Sequence, residues 1–411
     1  MIDPMSRAEA VSLTTLLAEP GARADPYPVY ARLRAMGRLV PNDLGGFLLT
    51  RYADVAAVLR DSRFSGNPRH QDNFEVIEQL AEAVGLSALL ELTGRLLLMA
   101  DPPDHTRLRR IAGKAFSVRT VEGMRARIGV LVDSLLDAVE ADGGTDLVDA
   151  LAFPLPADVI SDMLGVPPED HEQLRLWTRD AIKALDPVDD PMTLFPAAEA
   201  LDAMRAYFDD LVTSRRADPG DDLLSALIAA QDEGDRLSHD ELLDTAILLF
   251  GAGHETTVNL ISGGTLTLLR HPDQLERLRA DPSLIGGAVE ELLRFVPPVQ
   301  LTSRIATVDA EVAGHPIAKG TELLTLIAGA NRDPDEFAGP DRFDIGRRDN
   351  HHLSFSAGIH FCLGAPLARM EGQEAIGRLV ARFPRLSLAT DDVEWKSTNT
   401  MRGPQQLDLV W

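Results

Sequence analysis

Residues 248–260 read LLFGAGHETTVNL, and between 245 and 269 the one formally charged side chain is Glu255. Such an apolar run predicts a buried helix, yet His254, Glu255, Thr256 and Thr257 sit at its centre. Carboxylates are rarely buried without a partner, so the acid demands a reason. The helix has clear ends. Ser238 followed by Glu241 is a capping-box pattern, and Arg270, His271 and Pro272 form a stop with cations at the favoured end. Roughly thirty residues at 1.5 Å each reach about 45–50 Å, enough to cross a domain. Gly251 and Gly253 each weaken the helix by about 1 kcal/mol relative to Ala. Small residues beside a buried polar cluster point to something approaching the backbone there.

Elsewhere the pattern is mixed. A helix is predicted over 28–36 and a strand over 46–50. Residues 105–270 read as mostly helical, interrupted by Pro- and Asp-rich breaks at 187–191 and 218–222. Short strands return over 299–330, where Val312 and Ile317 flank a turn predicted at Gly314-His315-Pro316. A last helix starts just after Cys362 and ends before Pro384. The fold class is therefore mainly α with small β-sheets (α+β). Length alone suggests two or three domains. A strand region drawn from distant segments argues instead for one interlocked domain, 1–411.

Composition narrows the function. The chain has 411 residues, 45% of them apolar, and a formal net charge of -24. Such acidity disfavours nucleic acid and anionic membrane surfaces as partners. Only four lysines are present, so nearly every cation is arginine. The first ten residues lack the basic and apolar regions of a signal peptide. The long apolar segment is interrupted by Glu, His, Asn and Gly, so a buried helix is expected rather than a membrane span. A lone cysteine, Cys362, excludes an intrachain disulfide and fits a reducing cytoplasm. On its own it is most simply a small buried hydrophobe.

His254-Glu255 could open an HExxH zinc site, but position 258 is Val where the second His is needed. His351, His352, His360 and Cys362 could hold zinc, although structural zinc usually takes more than one thiolate. The stretch FSAGIHFCLGAPLAR, 355–369, offers another chemistry. Cys362 heads a helix with Pro366 in its first turn. Helix N-termini favour the thiolate, and Gly358 and Gly364 permit close approach of a flat ligand. One thiolate suits haem iron, whose porphyrin supplies the in-plane ligands. Haem propionates need cations, and DPPDHTRLRR (101–110) puts His105 and Arg109 on one helix face. A solvated basic patch is the plain alternative.

These residues resemble the cytochrome P450 family. FSAGIHFCLGAPLAR is similar to its haem-binding signature, GAGHETT to its oxygen-activation motif, EELLR to its Glu-x-x-Arg, PDRFD to the segment that follows, and DPPDHTRLRR to the bacterial propionate-binding helix. The likeness runs in family order from about residue 25 to the C-terminus. It is poor near 65–98 and 170–195, the regions that shape the pocket in the family. The resemblance implies the P450 fold, with a small β-rich lobe from the N-terminal and 299–330 segments and a large helical lobe of about 65–298 and 331–390. It implies haem b with Cys362 as axial thiolate. Ala252, Phe355 and Gly364 would lie against the haem, and His105, Arg109, Arg304 and His360 would hold the propionates. Glu255 and Thr256 would form the acid–alcohol pair that manages protons during O2 activation. Glu291, Arg294 and Arg342 would form a structural network. Leu301, Thr302 and Met401 would line the substrate pocket. The implied protein is a cytoplasmic, monomeric monooxygenase that hydroxylates or epoxidises a bulky secondary metabolite. Ferredoxin and ferredoxin reductase would supply the electrons, with Arg107 and Arg110 as candidate docking cations. A peroxide-driven peroxygenase and a non-catalytic haem-fold recruitment module are the rivals; the intact Glu255-Thr256 pair argues against both.

Overall fold

The computed structural model describes residues 10–113, 116–186, 191–232 and 237–411, apart from the side chain of Asp232. The first nine residues and most of the 187–191 break lie outside this set.

The central helix spans His239–Leu269, 31 residues. Ser238 and Glu241 cap it reciprocally, as the pattern predicts. Its side chains are buried along most of its length, because it packs against helices Pro154–Leu164, Phe195–Ala217 and Ala365–Arg382. The exception is the middle. Ala252 is exposed, and Gly251, Gly253 and Thr256 are partly so. Beyond its exposed first turn, an interior helix that opens at its centre faces a space that protein atoms do not fill. No helix among the described residues is long and apolar enough to cross a membrane.

The strands join the ends of the chain. One five-stranded sheet orders Val40–Pro41, Phe47–Leu49, Glu322–Thr325, Thr302–Ala306 and Phe64–Ser65. Phe47–Leu49 pairs parallel to Glu322–Thr325 and the other pairs are antiparallel. Leu13, Val29, Tyr30, Leu33, Leu48, Leu301, Leu324 and Leu326 pack into one apolar cluster on this part of the molecule. A second sheet joins Gly144–Asp146, Asp408–Val410 and Ser387–Leu388.

One turn differs from expectation. The Ala310–Val312/His315–Ile317 hairpin turns at Ala313 and Gly314, with φ of 57° and 82°. Two central residues at positive φ match the twist of antiparallel strands. His315 and Pro316 therefore belong to the second strand, where a short exposed hairpin tolerates proline.

Candidate functional site

The cysteine side is built on two helices. Helix Ala365–Arg382 begins with Gly364 as N-cap and Pro366 in its first turn. Proline suits that position because its missing N–H would be unpaired anyway. Cys362 lies just ahead of it, half-buried. Its N–H donates to the Phe355 carbonyl at 2.8 Å, which closes the loop. Burial pushes the Cys362 thiol up, against the downward pull of the Gly364 and Ala365 N–H groups, Arg109 and Arg369. The helix N-terminus alone predicts a lowered thiol. Desolvation outweighs it here because Cys362 packs against the apolar cluster that includes Phe355 and Ala365.

Two polar layers hold this loop. Ser354 Oγ donates to the Leu293 carbonyl (2.6 Å), and Asn331 bridges Ser354 and the Leu353 N–H. Glu290 accepts from Arg369 (2.6 and 2.9 Å) and lies 3.2 Å from His352. These partners hold its carboxyl at about 2, against the upward push of burial. Arg369 in turn stacks 4.4 Å from the centre of the Phe355 ring. Glu290 and Arg369 carried no functional signal in the sequence beyond the family motifs, and His352, weighed there as a zinc ligand, instead faces Glu290.

Glu291 and Arg294 are fully buried and bidentate, at 2.8 and 2.9 Å. The sequence assigns the third place to Arg342. Its guanidinium is instead largely exposed and points to Asp344 at 3.6 Å. Arg347 takes the place, with Nε 3.1 and 3.2 Å from the Glu291 oxygens. Arg342 contributes only its carbonyl, which accepts from both Arg294 and Arg347. A buried carboxylate needs the guanidinium that the chain path can bring inside, and the path turns inward five residues later.

Across from the cysteine loop stands a second group. His105 and Arg109 lie on helix Asp104–Gly113. The His105 and His360 rings meet edge to face, 4.6 Å apart, and Arg109 donates to the Phe361 carbonyl at 2.5 Å. His105 Nε2 is buried with no hydrogen-bond partner among the described residues. Burial first, then the charge of Arg304, drives His360 down to about 3. Arg304 is buried and brought down to about 10 by desolvation. Its hydrogen bonds go to Thr302 Oγ1 (3.3 Å) and the Ser303 carbonyl (2.7 Å); among the described residues no carboxylate bonds it, and Asp101 acts on it only through space. Arg107, a candidate docking cation, is committed to Glu241 (2.5 and 3.1 Å) and Asp104 (2.8 Å).

This cluster fits haem. A buried guanidinium without a carboxylate and an unpartnered buried imidazole nitrogen await anionic oxygens. A Cβ on Gly364 would meet no atom within 4 Å, so the space above the cysteine loop is open. Ala252 opens toward unfilled space from the central helix. Among the described residues, no three His, Cys, Asp or Glu side chains gather as a metal cage.

On the central helix, Thr256 Oγ1 donates to the Ala252 carbonyl at 2.9 Å. Glu255 is buried and has a partner that the sequence did not reveal: Lys396 Nζ, 2.5 Å from Oε1. Lys396 is one of only four lysines, which is the one trace it leaves in the sequence. His254 turns away, its Nε2 3.1 Å from the Phe153 carbonyl, and burial lowers it to about 4.

The expected pocket residues divide. Side chains alternate along a strand. Arg304 and Thr302 share a face, as their hydrogen bond requires. Leu301 points the other way, into the apolar cluster with Tyr30, Leu48 and Leu324. It packs as part of that core. Met401 is buried and pairs with Val299 in an isolated bridge.

A helical fold with a capped central helix open at its middle, a lone cysteine loop and a buried arginine that bonds no carboxylate among the described residues fits a haem-thiolate protein. The chain belongs to the cytochrome P450 family, whose model, described as Cytochrome P450, matches residues 80–409. It is 43% identical to the cytochrome P450 monooxygenase PikC of Streptomyces venezuelae over 94% of this chain and 91% of that protein. It is 40% identical to 6-deoxyerythronolide B hydroxylase of Saccharopolyspora erythraea, covering 94% and 96%. The solved structure of P450BioI with an acyl carrier protein bearing hexadec-9Z-enoic acid superposes with a TM-score of 0.88 at 38% identity, covering 96% of this chain and 100% of that one. The chain is thus an enzyme of the P450 monooxygenase family, which works with haem held by a thiolate.

Proposed function

We infer that this enzyme binds haem b through Cys362, takes electrons from a ferredoxin and its reductase, and oxygenates a bulky secondary metabolite such as a polyketide or macrolide. Arg304 carries the reading. A buried guanidinium whose hydrogen bonds reach one hydroxyl and one carbonyl is costly unless an anion joins it. A haem propionate supplies that charge. His105, His360 and Arg109 lie around it and complete the cradle. Phe355 packs beside the cysteine loop, and Gly364 and Ala252 leave room on either side.

Haem with a thiolate ligand supplies the redox chemistry that splits O2. One oxygen atom enters a substrate C–H or C=C bond and the other leaves as water, with two electrons and two protons consumed. The residues manage what surrounds that step. Cys362 gives up its proton on ligation, and the N–H groups of Gly364 and Ala365 steady the sulfur's charge. Thr256 presents a hydroxyl at the open middle of the central helix. Glu255, one residue away, passes protons inward. Thr302 and Met401 border the substrate. The relative named for hydroxylating 6-deoxyerythronolide B supports the substrate class.

The test is the absorption spectrum of the haem-loaded protein reduced with dithionite, before and after carbon monoxide. A strongly red-shifted Soret band is expected, and Cys362→Ala abolishes it. A band typical of His-ligated haem would reject the thiolate. Spin-state shifts across a panel of macrolactones, linear polyketides and sterols then rank the substrate classes. A response confined to sterols would reject the one proposed.

A further inference from the structure

We propose that Lys396 is a positioning residue that restrains Glu255, so that the state of the C-terminal hairpin sets when the acid can deliver a proton. The proposal deepens the monooxygenase reading and rests on it.

The geometry starts at the acid. Glu255 and Asn259 are one helical turn apart, and Lys396 Nζ lies 2.5 Å from Glu255 Oε1 and 2.9 Å from Asn259 Oδ1. Both charged side chains are mostly withdrawn from solvent. A charge-assisted hydrogen bond to the ammonium pins the Glu255 carboxyl toward the lysine, away from free rotation. To deliver, Glu255 must leave the ammonium, take a proton from solvent water and break that O–H bond toward the Thr256 side. It then returns as a carboxylate.

Lys396 is placed to sense more than the acid. It sits on a hairpin in which Trp395 bridges Pro404 and the Lys396 N–H donates to the Gly403 carbonyl at 3.1 Å. Gly403 packs so closely on the central helix that a Cβ there would lie 2.1 Å from Asn259 Oδ1. The far end of the hairpin is clipped elsewhere. Asp186 accepts from the N–H groups of Asn399 (2.9 Å) and Thr400 (2.8 Å), and Thr400 Oγ1 donates to the Leu185 carbonyl at 3.1 Å. Asp186 ends the turn Ile182–Leu185, which continues helix His171–Ala181. Met401 lies between these anchors. One short hairpin therefore touches the acid, the proposed substrate edge and the end of that helix. A substrate that shifts Met401 or the Asp186 clip moves the ammonium that holds Glu255.

The experiment uses holoprotein: wild type, Lys396→Met, Lys396→Arg, Glu255→Gln, the Lys396→Met/Glu255→Gln double variant and Asp186→Asn. Each is reduced with dithionite and mixed with air-saturated buffer, and the return of the oxidised haem spectrum is timed in H2O and D2O. Lys396→Met is expected to speed the return severalfold and change its solvent isotope effect. Lys396→Arg should stay near wild type, and Asp186→Asn should fall between. The Glu255→Gln background should erase the effect of Lys396→Met. An equal effect of Lys396→Met in both backgrounds, or none in either, would overturn the proposal. A wild type without the red-shifted carbon monoxide band would instead sink the haem-thiolate reading. In that case thermal-unfolding midpoints of the same wild type, single and double variants still decide the pair: non-additive shifts support the coupling, and additive shifts remove it.

Discussion

Arg294 and Arg304 are both buried arginines, and they differ in what surrounds them. Arg294 meets two Glu291 oxygens and the carbonyls of Asn331, Pro340 and Arg342 at 2.8–3.2 Å. Arg304 has one hydroxyl and one carbonyl and is drawn down to about 10. A charge whose donors are all used holds a fold together. A charge left half-used is held ready for something that the polypeptide does not contain. The contrast separates structural from functional arginines without reference to a motif.

The largest break should come at the satisfied centre. Arg294→Met strands Glu291 in the interior and should cost about 3–5 kcal/mol, the usual penalty for removing one partner of a buried pair. Urea unfolding should register that loss with and without haem. A loss seen only in the haem-loaded form would blur the distinction. Arg304→Met should do the reverse. The haem-free protein should be as stable as the parent or slightly more so. Haem retention, measured by transfer to a scavenging apo-globin, should weaken about tenfold to a hundredfold, since a charge-assisted bond contributes about 1.5–3 kcal/mol.

A smaller effect sharpens the same comparison from the acid side. Glu371 is buried against the central helix with the Thr257 hydroxyl as hydrogen-bond partner, and desolvation raises it to about 8. Its folded value lies above its unfolded one, so between about pH 4.5 and 8 the native state holds the extra proton. Stability should therefore fall as pH rises through that window, by at most about 1.4 kcal/mol per unit from this group. Glu371→Gln should flatten the slope. An unchanged slope in urea titrations at pH 5, 6, 7 and 8 would show that the carboxyl finds a partner beyond Thr257.

The helical pattern and the local motifs were readable because they depend on neighbours in sequence. The capping box at Ser238 and Glu241 acts across three residues, and so does the pairing of Glu291 with Arg294. The cysteine loop carries its turn and helix start in one stretch. Errors arose where an outcome depends on distant chain. The resemblance singled out Arg342, and only the path of the loop brings Arg347 inside instead. The packing of Leu301 against Tyr30, Leu48 and Leu324 likewise joins segments far apart in sequence. The thiol of Cys362 rises because packing desolvates it, which no helix-end rule anticipates.

The sequence by itself determined the central helix, its polar middle, the single candidate thiolate and the family to which they belong. These features rest on spacings of three to five residues, within which backbone geometry decides who meets whom. The tertiary structure alone decided which cation meets which acid: Arg347 with Glu291, and Lys396 with Glu255 across 141 positions. Charges pair through space, and the distances that set their energies exist only once the chain has closed.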